Sequence, residues 1–420
     1  MAAERGRRLD RAFGEVASRL EARDRAFAHE LAYGTTRLRG RLDHLLSPHV
    51  RRGLDATEPR LRELLRLGAY QALYMDSVPP YAAVSETVGQ ARRVTGAKSS
   101  GFVNAVLRRV VERGDDPAGY PDTTTDPAGF LATWGSHPRW LVERWLNRWS
   151  FDEVRRLVER DNGAPDVSVV PLQASPGEAV ARLAEAGIEA KVVGAGTRAV
   201  RLGAASSVTS ALEMVGSAIV QDPGANLVSQ YADVPSGMMV ADFCAAPGGK
   251  VLALPAPRLR ILAADRSESR IHVLKENALR VGRSVELVVA DALHPPVREA
   301  DVVMLDVPCT GTGTLARHPD ARWRLDPEQI GAMAQLQAGM LEAAAEVVRP
   351  GGLLVYSTCT LEPEENAERV EAFLAGRSDF EIEDSGVVPE TYRDDRGYLR
   401  VTPHAHGFDG AFGARLRKAS

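Results

Sequence analysis

Three cysteines stand in the 420 residues, Cys244, Cys309 and Cys359, and each follows a short apolar, β-rich run. MMVADF (238–243) leads into Cys244-Ala245-Ala246-Pro247-Gly248-Gly249-Lys250. DVVMLDVP (301–308) carries Asp306 and leads into Cys309-Thr310-Gly311-Thr312-Gly313, and GGLLVYST (351–358) leads into Cys359. Two more runs, LRILAAD (259–265) and VELVVAD (285–291), end on Asp265 and Asp291. Ligands of open parallel sheets bind beyond the carboxyl ends of the strands, so these side chains are candidates to meet one ligand. A lone free cysteine is usually a small buried hydrophobe, and a lone strand-end aspartate is often a helix cap. The coincidence of all of them at strand ends is what those two roles leave unexplained.

The loop from Cys244 to Lys250 is built of small residues and a glycine pair, which lets the backbone turn sharply and approach a ligand with free N–H groups. It is neither G-x-G-x-x-G nor G-x-x-x-x-G-K-[ST], which counts against NAD and ATP. Asp265 is spaced to accept both hydroxyls of a ribose, and Asp291 to accept from an adenine amino group or its neighbours. That combination describes an adenosine-bearing cofactor without a pyrophosphate, for which S-adenosylmethionine is the natural candidate. Two thiols beside a methyl donor suit a poorly nucleophilic carbon such as carbon 5 of cytosine. A thiolate adding to carbon 6 makes carbon 5 an enamine carbon that takes the methyl group. A second group must then assist loss of the carbon 5 proton and of the first sulfur, and the Asp306 carboxyl group is positioned to hydrogen-bond the ring. A base in an RNA helix or loop must be unstacked to reach such a pocket. The residues alone do not say which of Cys309 and Cys359 attacks. With no Cys-x-x-Cys pair and no histidine beside the thiols, no metal centre is expected.

Strands alternating with helical stretches such as SRIHVLKENALRVG predict βαβ units and a parallel sheet covered on both faces over residues 216–420, with terminal, antiparallel strands in FEIEDS, GYLRVTP and FGARLRK. Residues 1–118 read as all-α, because apolar residues recur at three-and-four spacing in RDRAFAHELAYG, LRELLRLGAYQALYM and GFVNAVLRRV. The stretch at 113–130, rich in Pro, Gly, Asp and Thr, reads as a linker. Residues 119–215 are expected to hold one or two amphipathic linker helices and a small α/β module with strands in VSVVP, AKVVG and GSAIVQD around the helix SPGEAVARLAEAG.

Hydrophobic residues make up 44% and charged residues 26%, a globular composition. No apolar run approaches the roughly 18 residues of a membrane span. The start MAAERGRRLDRAFGEV has no apolar core and carries Glu4 and Asp10, so a cytoplasmic location is expected. An odd, small cysteine count argues against a disulfide framework. The net charge of −4 hides an asymmetry: residues 1–114 hold 21 Lys+Arg against 13 Asp+Glu, a net of +8. A basic segment suggests an anionic partner, although a solvated helical surface has the same composition.

DFCAAPGGK, DVPCTGTGTLARHPDARWR and YSTCTLEPEENAERV closely resemble the motifs of the RNA (cytosine-5)-methyltransferases of the NOL1/NOP2/Sun group. The helical start, through RDRAFAHELAYGTTRLRGRLD, YQALYMDSVPPYAAVSETV and GFVNAVLRRV, looks like a NusB-like RNA-binding domain. The resemblance covers nearly the whole chain. It implies a Rossmann-like S-adenosylmethionine-dependent methyltransferase domain preceded by the NusB-like domain and the α/β module. Cys244 to Lys250 would wrap the methionine end of the cofactor, Asp265 would hold the ribose, Asp291 the adenine side, and Asp306 would lie beside cofactor and cytosine. Arg270, five residues after Asp265, matches a position that sometimes assists the cofactor, though helix surface accounts for it equally. The resemblance also makes Cys359 the nucleophile and Cys309 the residue that promotes product release. DNA cytosine methyltransferases use the Pro-Cys thiol instead. His318-Pro319-Asp320 and Arg322-Trp323-Arg324 would shape the pocket or touch RNA.

The implied substrate is RNA, 16S rRNA by the NusB-like part, free or in a partly assembled small subunit, with no DNA or membrane partner. Two rivals share the features: a tRNA cytosine-5 methyltransferase, and a non-catalytic RNA-binding ribosome-assembly factor, against which Cys309, Cys359 and Asp306 argue. An amino-group methyltransferase would need Asn/Asp-Pro-Pro-aromatic where DVPC stands. The sequence departs from the family in a first helix that looks shortened, in DVSVVPLQ where relatives often have Arg-Val-Asn, in Val251 for a common Thr, and in a missing second aromatic around Asp409-Gly410-Ala411-Phe412-Gly413. None of these removes a catalytic residue.

Overall fold

A computed structural model describes residues 7–204 and 206–420. The expected start of the helical domain at residue 1, with Glu4, lies outside the described residues. The chain forms two compact units: one runs to Ala164 and includes Leu315–Leu325, and the other comprises Pro165–Thr314 and Asp326–Ser420.

The first unit contains α1 (Leu9–Ala17), α2 (Ala22–Arg37), α3 (Arg39–Leu46), α4 (Pro59–Tyr74), α5 (Pro80–Thr95) and α6 (Ala97–Arg113). Their three-and-four spaced apolar residues meet in a core where Leu42, Leu46, Leu65, Val103 and Leu107 are fully buried. Pro59 and Pro80 stand in the first turns of α4 and α5, where the missing N–H costs nothing. A Cβ at Gly68 would stand 2.7 Å from Leu107 Cδ1 and 2.8 Å from Thr87 Oγ1, so glycine lets α4 approach its neighbours. α1 is nine residues long.

α7 (Pro127–Thr133), α8 (Arg139–Leu146) and α9 (Phe151–Asn162) also belong to this unit, which therefore continues past the helical domain expected over residues 1–118. α7 starts inside the stretch expected to be a linker: Asp126 caps it by accepting from the Gly129 N–H at 3.0 Å, and Pro127 opens it. Ser150 and Glu153 form a capping box at the start of α9. Leu131, Leu141, Val142, Trp145, Leu157 and Val158 from these helices are fully buried.

Leu315–Leu325 packs within the same unit through Arg322, which is fully buried. Its guanidinium donates to the carbonyls of Ser136 (3.1 Å), Asp161 (3.0 Å) and Leu315 (3.2 Å) and to Asn162 Oδ1 (2.8 Å). The Trp323 indole N–H donates to the Thr36 carbonyl at 2.8 Å. Of the segment's expected roles, contact with RNA does not fall to Arg322, a buried structural donor. Burial pushes the guanidinium down to about 10, against the pull of Asp161, so it stays charged at neutral pH.

The second unit begins with β1 (Ser168–Pro171), α10 (Pro176–Glu185), β2 (Ala190–Val192), β3 (Val200–Leu202), α11 (Val208–Val215) and β4 (Ala218–Val220). The strands form an antiparallel sheet in the order β2-β3-β1-β4, and the two helices bury Ala179, Leu183 and Ala211 against it. α12 (Pro223–Tyr231) leads to the larger sheet, built from β5 (Met239–Asp242), α13 (Gly249–Leu252), β6 (Arg260–Asp265), α14 (Glu268–Val281), β7 (Glu286–Val289), β8 (Ala300–Asp306), α15 (Pro327–Val347) and β9 (Val348–Thr358). It is completed by α16 (Ala367–Gly376), β10 (Phe380–Ile382), β11 (Leu399–Val401), α17 (Pro403–His406) and β12 (Ala411–Lys418). The order is β10-β12-β9-β8-β5-β6-β7, with β11 paired to β12. β5 to β9 are parallel and the terminal strands antiparallel. Alternate residues serve opposite faces: Val303 and Leu305 pack with Leu341 and Ala344 of α15, whereas Val302 and Met304 pack with Leu252 and Leu274. Strand order reverses between β5 and β8, and the crevice at such a switch point is where this architecture binds ligands. Among the described residues no helix is long and apolar enough to cross a membrane.

Arg322→Met strips several buried acceptors of their donor at about 1–3 kcal/mol each. Denaturant unfolding should report a loss of about 3 kcal/mol or more, and a change within experimental error of zero would contradict the role assigned to this side chain.

Candidate active site

The loop after β5 lies at the switch point. Its Ala246-Pro247 bond is cis, and Gly248 has φ +100°. A Cβ there would meet Leu252 Cδ1 at 2.9 Å and Leu274 Cγ at 3.1 Å, so only glycine fits both the conformation and the space. Lys250, on α13, reaches across to β8, and its Nζ donates to Asp306 Oδ2 at 2.6 Å. The Ser357 hydroxyl at the end of β9 donates to the other oxygen of Asp306 at 2.8 Å. Burial opposes the Lys250 charge, but Asp306, Cys359 and Asp242 together outweigh it and hold the ammonium above its usual range.

Asp242 is the last residue of β5 and is buried. Its Oδ1 accepts from the Cys244 N–H at 3.1 Å. Burial, then the charge of Asp306, pushes this carboxyl up to about 7. The Cys244 thiol is also pushed up, by burial first and by Asp242, Asp306 and Asp265 after it. Cys244 is therefore a poor thiolate. Asp265, at the end of β6, accepts from the Ser267 N–H at 3.0 Å and pairs with Arg270 at 3.2 Å. Arg270 also donates to the Ala246 carbonyl, so it braces the loop to the neighbouring strand end. Asp291 lies two residues beyond β7, is exposed, and accepts from the Leu293 N–H at 3.0 Å. Asp265 and Asp291 thus each secure a local turn at the carboxyl side of the sheet.

The two other thiols meet. Cys309, three residues past the end of β8, and Cys359, one past the end of β9, lie with their sulfurs 3.4 Å apart. Both are half-buried. Cys309 is pushed well above the ordinary thiol range by its hydrogen bond to Cys359, then by burial, then by the negative charges of Cys359 and Glu365. Either sulfur can be the donor in this contact, and the upward push on Cys309 favours the thiol form there. Asp306, Lys250, Cys309 and Cys359 therefore gather over β5, β8 and β9, while Asp265 and Asp291 stand over β6 and β7. Among the described residues no group of three or more His, Cys, Asp or Glu is placed to hold a metal ion.

Several supporting residues are not apparent from the sequence. Gln221 donates to the Gly249 carbonyl at 2.8 Å and accepts from Asn226 at 3.1 Å, so a polar relay from α12 props the glycine turn. Ser229 donates to the Lys250 carbonyl at 3.0 Å. Thr310, Thr312 and Thr360 join the two cysteine loops to the buried carboxylates of Glu362 and Glu365. The available signal is the spacing of threonines at 310, 312, 358 and 360 around both cysteines, which no surface loop requires.

Residues 230–417 match the model of the 16S rRNA methyltransferase RsmB/F family, residues 2–112 the NusB family, and residues 137–209 the RsmF/B-like methyltransferase ferredoxin-like domain. A probable ribosomal RNA small subunit methyltransferase B of Synechocystis is 35% identical, over 94% of this chain and 92% of that protein. The ribosomal RNA small subunit methyltransferase B of Klebsiella pneumoniae is 31% identical, over 99% of this chain and 95% of its own length. The solved PH0851 structure superposes with a TM-score of 0.77 at 27% identity, covering 95% of this chain and 91% of that one. A methyltransferase homologue from Pyrococcus horikoshii gives a TM-score of 0.58 at 26% identity, over 71% of this chain and the whole of that one. The helical start is a NusB domain, the small antiparallel module is of the ferredoxin-like kind, and the parallel sheet is a Rossmann-like methyltransferase fold. The chain belongs to the family of the ribosomal RNA small subunit methyltransferases B.

Proposed function

We propose that this protein transfers a methyl group to carbon 5 of a cytosine in RNA, with 16S rRNA as substrate, through a covalent cysteine adduct at carbon 6. The observation that carries this reading is the pair of thiols, sulfurs 3.4 Å apart, beside the Lys250–Asp306 ion pair at the switch point of the sheet. The residues around the Cys244–Lys250 loop fit S-adenosylmethionine: Asp265 suits the ribose, Asp291 the adenine edge, and the acids Asp242 and Asp306 suit a sulfonium charge. When bound, this cofactor supplies an electrophilic methyl group.

Cys359 adds as thiolate to carbon 6, and Cys309, held as a thiol, donates the hydrogen bond that stabilises the attacking sulfur. Asp306, with Lys250 on one oxygen and Ser357 on the other, is fixed to accept a hydrogen bond from the exocyclic amine of the cytosine and hold the ring for attack. After methylation the carbon 5 proton leaves to water. The electrons of that C–H bond form the double bond between carbons 5 and 6, and the C–S bond breaks onto Cys359. Cys309 donates its S–H to the departing sulfur, as it did to the attacking one. Cys359 as nucleophile follows the family resemblance, and the upward push on Cys309 is in line with it.

The NusB domain provides a surface for the RNA backbone. Arg51, Arg52, Arg92, Arg93, Arg109 and Arg113 are exposed and, among the described residues, have no acidic partner. His49 is held below its usual range by burial and by the charges of Arg113 and Arg109, a sign of the positive potential there. Such a face attracts phosphates and makes binding depend on salt.

Bisulfite sequencing of rRNA and tRNA after incubation with the enzyme should show one protected cytosine in 16S rRNA; protection confined to tRNA, or none, would refute the assignment. Cys309→Ala should accumulate a slow-migrating RNA adduct on denaturing gels, through Cys359. The same band with Cys359→Ala, and none with Cys309→Ala, would reverse the roles. Replacing Arg109 and Arg113 by Gln should reduce the slope of log affinity against log salt by about 1 per lost phosphate contact; an unchanged slope would remove this face from the RNA site.

A further inference from the structure

Glu365 lies in the short helical turn Pro363–Glu365 after the Cys359 loop, and its side chain is fully buried. Its Oε1 accepts from the Thr310 backbone N–H at 2.9 Å and from Gln337 Nε2 at 3.0 Å, and its Oε2 accepts from the Thr310 hydroxyl. These groups all present donors to the carboxylate, so the ionised form is the one this setting solvates. The Thr310 and Thr360 hydroxyls are 2.8 Å apart, and Thr360 also hydrogen-bonds the Glu365 carboxylate. The carboxylate on the turn therefore draws together a threonine on the Cys309 loop and one on the Cys359 loop. Gln337 ties the same group to the Pro308 carbonyl at 3.0 Å, one residue before Cys309.

Resting on the reaction proposed above, we propose that Glu365 is a positioning residue: it clasps the Cys309 loop to the Cys359 loop and sets a buried negative charge beside Cys309, so that Cys309 keeps its proton. The other charged or titratable groups around the pair are Cys359 itself, Asp306 and Lys250 at the strand ends, and Glu362 on the threonine tier. Tyr356, whose phenol donates to the Glu365 carbonyl at 2.6 Å, and Arg369 of α16 complete the set. Of these, Lys250 is taken by Asp306 and the Arg369 guanidinium donates to the Ala334 carbonyl at 2.9 Å, while Glu365 is linked through hydrogen bonds to the residues on both sides of Cys309. Burial, the largest influence on Glu365, raises its own range, and the donors oppose that.

Glu365→Gln keeps the shape and can still accept from the Thr310 N–H, but it loses the charge. In the full-length protein carrying Cys359→Ser, the rate of iodoacetamide alkylation of Cys309 is followed against pH by peptide mass spectrometry. Glu365→Gln should move the profile about one unit toward acid, so that Cys309 reacts about tenfold faster at neutral pH. An unmoved profile, with or without a lower melting temperature, would reduce Glu365 to a structural role and overturn the proposal. Thr310→Val, which keeps the charge but cuts the clasp, should leave the profile in place and slow release of the RNA adduct in the protein with both cysteines; unchanged release would overturn the clasp. The alkylation needs neither RNA nor cofactor, so its failure is separable from failure of the proposed reaction.

Discussion

The parallel register that sets Asp306 opposite Ser357 is the constraint on which the site depends. It brings the ends of β8 and β9 level, so that loops of three and one residues carry Cys309 and Cys359 to within hydrogen-bond distance. It also points the Ser357 hydroxyl at Asp306, which turns that carboxylate toward Lys250 on the far side of the crevice. Because side chains alternate along a strand, a slip of one residue would send Asp306 to the opposite face and part the thiols. The register is secured from both sides: Val302, Val303, Met304 and Leu305 each face a packed core, and β9 is locked again by its antiparallel pairing with β12.

The electrostatics follow from that placement. Burial first, and then a crevice holding Asp242, Asp265 and Asp306, suppresses ionisation of Cys244. Lys250 contacts Asp306 directly, and it also lies close enough to sense charge on Cys359. The acids therefore favour a cationic cofactor, and the lysine lies toward the sulfur proposed to attack. In the cysteine pair one hydrogen bond cannot have two donors. On the proposal made above, the neighbouring carboxylate of Glu365 adds to the contact with Cys359 and the burial that raise Cys309, and so helps give two chemically identical side chains different work.

The strands of the larger sheet are legible in the sequence because each is a continuous apolar run that ends on a polar residue, from Asp242 and Asp265 to Asp306 and Thr358. α7 is not legible, because Asp126 and Pro127 open a helix with the same residues that make a linker. β3, only Val200–Leu202, is too short to alternate visibly. The residues that carry polar functions are readable where function dictates residue type, as in the thiols and strand-end aspartates. They are not where polarity serves burial: Glu362 and Glu365 sit in an acidic run that reads as exposed, and only the fold shows that threonines from both cysteine loops cover them. Arg322 misleads for the same reason, since a sequence with two arginines beside a tryptophan looks like an RNA contact until the carbonyls around the guanidinium are seen.

The central claim is that Cys359 forms the bond to carbon 6 while Cys309 stays a thiol. RNA containing 5-fluorocytosine tests it most directly, because fluorine cannot leave carbon 5 as a proton does and the methylated adduct is held. Digestion of the complex and mass mapping of the modified peptide should place one methylated fluorocytosine nucleotide on the peptide that contains Cys359, and only when S-adenosylmethionine is present. Attachment to the peptide containing Cys309, or turnover without any covalent complex, would contradict the account.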